Sequence, residues 1–236
     1  IIKMNYQKNK NNYNLVVPKF RMTRVLVIGD THFRHKYIDD GNSLIKICTK
    51  LAYKKNPDFI VLLGDILHTH SDLKQSEFEL ATRLIDSLSK KFPLYVIMGN
   101  HDYINPSQFL SDKHFFNPFK KWKNVTIVDH VIHENINGHD FIFCPYVDHT
   151  KFIQALETID DGDSAGCEGN LASWKKASCI FTHIDVQGAK SGDYETTGIK
   201  WKKPWTPIVS GHIHVNQRIG NVYYPGSSSQ VSPIED

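Results

Sequence analysis

Five short segments of the chain concentrate side chains that bind cations: Gly29-Asp30-Thr31-His32, Gly64-Asp65-Ile66-Leu67-His68, Gly99-Asn100-His101-Asp102, Thr182-His183 and Gly211-His212-Ile213-His214. Their donors are carboxylate, amide and imidazole with no thiolate, a set that suits borderline divalent cations such as Mn²⁺, Zn²⁺ or Fe²⁺. A lone Gly-Asp after a strand is more often a turn or a helix cap. A lone His-x-His on a strand places both rings on one face and is often only a packed pair. Five such segments in one chain, each after an apolar run, point instead to one shared site. The four cysteines, Cys48, Cys144, Cys167 and Cys179, are far apart and none adjoins these segments, so a thiolate site is not expected.

The elements that would position these donors are legible in the apolar pattern. Val25–Ile28, Phe59–Leu63 and Leu94–Met98 are short continuous apolar runs, each ending in Gly-Asp or Gly-Asn. Between them, Ser43–Lys55 and Ser76–Lys91 repeat apolar residues at helical spacing. Continuous strands alternating with amphipathic helices predict a parallel sheet covered on both faces. Open α/β sheets place their sites at strand ends, and a glycine there is expected to let the backbone turn sharply into a common cleft. The second half reads as shorter strands at Val125–Val128, Val131–His133, Phe141–Phe143, Cys179–Phe181 and Ile208–Val209. Asn137-Gly138 marks one hairpin turn, and a last hairpin turns near Gly220-Asn221. Lys151–Ile159 reads as one more helix, and Asp160–Asn170 as an acidic, Gly-rich loop.

In their order along the chain, Asp-x-His, Gly-Asp, Gly-Asn-His-Asp, His and Gly-His-x-His, the five segments resemble the calcineurin-like metallophosphoesterase signature. The resemblance covers about Val25 to Ser229 and implies an α/β fold, a four-layer α/β/β/α sandwich. It also implies two divalent metal ions, Mn²⁺ first with Zn²⁺, Fe²⁺ or Mg²⁺ as alternatives. Asp30, His32 and His214 would hold one, Asn100, His183 and His212 the other, and Asp65 would bridge them. Two cations roughly 3.5 to 4 Å apart activate water and neutralise the oxygens of an in-line displacement at phosphorus. His101 would face the scissile phosphate as a catalytic residue, while Asp102 is expected to fix the backbone of its motif.

Within that family the chain departs from the protein-phosphatase type, which usually has Asp-Arg where His68-Thr69 stands and Glu where Asp102 stands. A histidine three residues after the bridging Asp is similar to the SbcD-type DNA repair nuclease, so a nuclease role is carried to His68. Tyr224-Pro225-Gly226-Ser227 resembles the same branch, with Ser227 a candidate substrate contact. That resemblance implies DNA as substrate and an ATPase partner of the SbcC type. Such nucleases continue into a DNA-capping domain, and with the sequence ending at Asp236 that domain is expected to be absent. Lys120-Lys121-Trp122-Lys123, Trp174-Lys175-Lys176 and Lys200-Trp201-Lys202-Lys203 pair cations with stacking rings, so Lys121, Trp122 and Lys202 are candidate nucleic-acid contacts. Taken alone, each cluster reads rather as a solvated basic face anchored by its tryptophan. The alternatives are a small-molecule or cyclic-nucleotide phosphodiesterase or phosphatase, and a scaffold that has lost the chemistry. A closed pocket lined by Gln187–Thr197 would favour small substrates, and an open groove along the Lys-Trp clusters would favour DNA.

Composition sets outer bounds. With 236 residues, 40% hydrophobic and 22% charged, the chain can bury a sizeable core. Residues 1–22 read as a mobile basic extension and 23–236 as the metallophosphoesterase domain. The formal charge of +3 misleads: six of the 28 basic residues lie within 1–24 with no acid, leaving 22 against 25 acidic residues. Bulk charge therefore gives no reason to expect nucleic acid. No apolar run approaches the roughly 18 to 20 residues of a membrane span, and the dispersed cysteines read as reduced, so an intracellular location is expected. A homodimer is expected only if the apolar face of the helix after Asp72 stays exposed.

Overall fold

The computed structural model describes residues 21–70, 72–159, 173–202 and 205–229. The acidic stretch 160–170 and nearly all of the basic extension lie outside them. The first sheet is β1 (Val25–Ile28), β2 (Phe59–Leu62), β3 (Leu94–Ile97) and β4 (Val125–Val128), all parallel and in that spatial order. Helices α1 (Ile38–Lys55) and α2 (Gln75–Ser89) make the first two crossovers. β2 and β3 are buried along their whole length, which is why they read as continuous apolar runs without alternation.

The second sheet is mixed. Its strands β5 (Ile132–Ile136), β6 (His139–Phe143), β7 (Cys179–His183), β10 (Ile208–Gly211), β11 (Gln217–Ile219) and β12 (Val222–Tyr224) lie in the order β11-β12-β10-β7-β6-β5. The β5–β6 hairpin turns at Asn137 (φ 56°) and Gly138 (φ 83°), where two positive φ values match the twist of paired strands. A separate small hairpin, β8 (Lys190–Ser191) with β9 (Tyr194–Glu195), lies within the polar stretch 187–197.

Three apolar clusters define the layers. One packs α1 and α2 on the first sheet through Ile45, Ala52, Leu80, Leu84, Ile85 and Leu88. A second is closed between the two sheets around Phe59, where Tyr95 and Phe143 stack at 4.1 Å. Full burial of one such ring is worth about 1.5–3 kcal/mol. The third covers the outer face of the second sheet with α3 (Phe152–Leu156), Trp174 and Trp201. The α/β/β/α order expected from the sequence is present, with an outer layer whose described helix is only five residues long. The apolar face of α2 is buried, so the surface considered for a dimer is not offered there. No helix of the described residues is long and apolar enough to cross a membrane.

Candidate metal centre at the strand ends

The carboxyl ends of β1, β2, β3, β7 and β10 converge, and each delivers one or more donors. Asp30 and His32 follow β1, Asp65 follows β2, Asn100 follows β3, His183 closes β7, and His212 and His214 follow β10. The turn that aims them is not made mainly by the glycines. Of those in the five segments only Gly64 (φ 100°) uses the left-handed region, whereas His32 (φ 40°), Asp65 (φ 48°) and His212 (φ 79°) themselves occupy it. A side chain bearing a Cβ is strained there by about 1–3 kcal/mol. Gly99 answers a need for room instead, since a Cβ there would lie 2.2 Å from Asp65 Oδ1.

Two triads of donors that include a carboxylate result, Asp30, His32 and His214, and Asp65, His183 and His212; a third group, His32, His68 and His101, shares His32 with the first. In the first, His32 Nε2 lies 3.1 Å from His214 Nε2, and Asp30 Oδ2 lies 3.6 Å from the latter. In the second, the Asn100 Oδ1 is 3.0 Å from His183 Nε2 and 2.9 Å from His212 Nδ1, so Asn100 joins it. Asp65 faces both: Oδ1 is 3.3 Å from His183 Nε2 and Oδ2 is 3.5 Å from His32 Nε2. His183 gives its Nδ1 proton to Leu63 O at 2.7 Å, which leaves Nε2 as the donor atom turned inward.

The electrostatics fit a cation. Burial pushes the Asp30 carboxyl well above its ordinary range, against the pull of His183. Burial likewise pushes His32 and His212 down. Burial acts against ionising Asp65 and His183 as well, but their mutual charge outweighs it, holding the acid low and the imidazole high. Asp30 Oδ1, His32 Nδ1 and His68 Nδ1 are buried with no hydrogen-bond partner among the described residues. Lone pairs converging without enough protons to satisfy them are what a divalent ion neutralises.

Around the triads the supporting contacts are close. His101 gives its backbone N–H to Asp65 Oδ1 (2.9 Å) and its Nδ1 proton to His68 O (2.7 Å). Asp102 accepts from the N–H groups of Ile66, Leu67 and Gly99, fixing the two turns as its sequence position suggests. His68 reaches the same cleft, its ring 5.5 Å from His32 and parallel to His101 at 5.9 Å. His70 was not singled out in the sequence. Its ring stacks on His101 at 4.3 Å and its Nδ1 meets Asn100 O at 2.9 Å. The only sequence signal for it is a second histidine two residues beyond His68.

The candidate substrate contacts fall elsewhere. A cavity of about 470 Å³ opens beside the triads. Asp65, Asn100, His101, His212 and His214 line it together with Asp185, Ser191, Tyr194, Glu195, Thr196 and Thr197. Lys121, Trp122 and Lys202 are not in that lining. Trp122 packs its ring on Phe119 at 4.7 Å, and Trp201 packs on Trp174 and Trp205. Trp174 is buried, and Trp122 and Trp201 are partly buried against the core, so these rings anchor their segments; Lys203 lies outside the described residues. Ser227 is a backbone pin: its hydroxyl donates to Asp30 O at 2.9 Å, while Ser228 and Ser229 hold Gly29 O and Thr31 O.

A two-sheet α/β fold carrying paired His/carboxylate triads at its strand ends is the architecture of a metal-dependent hydrolase. The calcineurin-like phosphoesterase family model matches residues 23–216, and the chain belongs to that family, whose members hydrolyse phosphate esters with divalent metals. It is 38% identical over 209 residues to 244L of Invertebrate iridescent virus 6, a protein named as a phosphoesterase, covering 88% of this chain and 70% of that one. It is also 38% identical over 216 residues to the similarly named 078R of Invertebrate iridescent virus 3, covering 91% of this chain and 60% of that one. Among solved structures the fold is similar to Yfce, a phosphoesterase from E. coli, with 12% identity, a TM-score of 0.42, and coverage of 87% and 80% of the two chains.

Proposed function

We propose that this chain is a two-metal phosphodiesterase in which Asp65 would be shared by the two cations and His101 would face the scissile phosphate. The observation that supports it is the division of Asp65, one oxygen toward each triad. Asp30, His32 and His214 would hold one ion, and Asn100, His183 and His212 the other, with Mn²⁺ the first choice for these oxygen and nitrogen donors. When bound, the pair supplies a water nucleophile at neutral pH and charge neutralisation at phosphorus. His101 has its Nδ1 committed to His68 O, so any proton it exchanges with substrate passes at Nε2. His70 holds that ring from its face, and the His101 N–H ties the backbone to Asp65.

The cavity favours a small diester over a long polyanion. Its described lining contains no Lys or Arg, and it is walled by the 187–197 segment. A strand-tracking nuclease needs cations for successive phosphates. The second reading, an SbcD-type DNA nuclease of domain 23–236 working with an SbcC-type ATPase, is supported by His68 in the cleft. Mn²⁺-dependent hydrolysis of bis-p-nitrophenyl phosphate and of a labelled DNA hairpin tests both. We expect the small ester to be cleaved, and His101→Asn to lower kcat by about 10²- to 10⁴-fold. If DNA is cut and His68→Ser removes that cutting alone, the nuclease reading replaces the small-ester one. If neither substrate is hydrolysed, both fail.

A further inference from the structure

The wall opposite the metal triads is a built surface. The β8–β9 hairpin pairs Ser191 with Tyr194 and Lys190 with Glu195. Its base is clamped to β11 from both sides of one residue: Lys190 N–H donates to Gln217 Oε1 at 2.8 Å, and Gln217 Nε2 donates to Lys190 O at 2.7 Å. Thr196 closes the segment by donating its hydroxyl to Val186 O, and the Val186 N–H in turn reaches the buried Tyr224 hydroxyl at 3.0 Å. On this anchored hairpin Tyr194 keeps 67% of its surface exposed while lining the cavity that contains His101, His212 and His214. An aromatic ring left to solvent on a fixed support, beside the proposed phosphate site, is a stacking platform with no ring partner among the described residues.

The rest of the wall narrows the occupant. It offers the Asp185 and Glu195 carboxylates, which accept from N–H edges, the hydroxyls of Ser191 and Thr197, and, among the described residues, no cation for a second phosphate. About 470 Å³ falls within the range that encloses a small ligand. We infer that Tyr194 stacks a nucleobase carried on one side of the scissile phosphorus, so that the substrate class is a nucleotide phosphodiester, free or at a strand end. This rests on the phosphodiesterase reading above but does not depend on which of the two substrates is cut.

The test is calorimetric binding of adenosine monophosphate and of methyl phosphate to the Mn²⁺-loaded protein, in wild type, Tyr194→Ala and Tyr194→Phe. Base–aromatic stacking predicts that the wild type binds the nucleotide roughly 5- to 150-fold more tightly than methyl phosphate. Tyr194→Ala should erase that preference and leave methyl phosphate binding unchanged, and Tyr194→Phe should retain it. Because Tyr194 is largely exposed, neither change threatens folding. Equal affinities in the wild type, or a preference that survives in Tyr194→Ala, overturn the inference. Turnover of bis-p-nitrophenyl phosphate and of the DNA hairpin, followed separately, reports on the phosphodiesterase reading: absence of both would fail that reading whatever the binding shows.

Discussion

Asp65 and Asp129 both follow strands of the same parallel sheet, both are buried, and both are surrounded by imidazoles, yet their oxygens are committed differently. At Asp129 every lone pair that matters has a proton aimed at it. Oδ2 accepts from His114 Nε2 at 3.0 Å and from Lys120 Nζ, and Oδ1 from His130 Nδ1 at 2.8 Å. The Phe116 N–H donates to His114 Nδ1, which places that ring's proton on Nε2 for Asp129. At Asp65 the Oδ2 faces His32 and His101 at 3.5 and 3.9 Å without a hydrogen bond among the described residues, and neighbouring Asp30 Oδ1 has no partner among them either. The backbone differs as well, since Asp65 occupies the left-handed region and Asp129 does not. A cluster built for stability closes its donors onto its acceptors. One built for a cation leaves acceptors turned inward on a backbone held in strain.

The sharpest break of this comparison is Asp65→Asn. It should reduce hydrolysis of bis-p-nitrophenyl phosphate by more than about 10³-fold, several kcal/mol of lost transition-state stabilisation. It should also abolish the rise in melting temperature on adding Mn²⁺, which for a wild type saturated at a hundredfold its Kd amounts to about 2.7 kcal/mol. A Mn²⁺ shift that survives in this variant would place the cation elsewhere.

Asp129→Asn should do the converse. It leaves buried donors unpaired, so stability should fall by about 3 kcal/mol, while turnover per folded molecule and the Mn²⁺ shift stay intact. Its pH dependence follows from sign. Burial alone would raise the Asp129 carboxyl, but hydrogen bonds from His114, Lys120 and His130 outweigh it and hold it well below the ordinary range. The contribution is therefore present above the unfolded value of about 3.9 and is lost as pH falls toward the folded one. Urea midpoints of wild type and variant should accordingly stay apart down to about pH 4 and draw together only as pH falls below it. The smallest effect is expected at the rim: His130 has a side chain 66% exposed, and His130→Ala should change stability by less than about 1 kcal/mol.

Much of the candidate metal centre was legible because its donors sit directly after apolar strands, where sequence order and spatial order coincide. The Asp129 cluster was not, although its residues are equally polar. His114 and Lys120 reach Asp129 from a segment of turns and short 3₁₀ helix whose path depends on tertiary packing, so no spacing reveals them. α1 begins at Ile38, earlier than the periodicity from Ser43 suggests, because Asp39-Asp40-Gly41-Asn42 has turn composition. Gly41 is there for packing: a Cβ would meet Leu80 Cδ1 at 2.7 Å. The β8–β9 hairpin was hidden for another reason. Each strand is two residues long and carries no apolar alternation, since the wall it builds faces a cavity instead of a core.

The left-handed backbones at His32, Asp65 and His212 set stability and activity against each other in selection. Glycine is at ease where these three side chains are strained by about 1–2 kcal/mol, so His32→Gly or His212→Gly would relax the turn while deleting a donor. In a lineage still under demand for hydrolysis such changes are purged. In one released from it they would be retained as gains in fold stability, and each loss would remove a reason to keep the remaining donors. The three donors are thus held in place at a cost in fold stability that glycine would not carry.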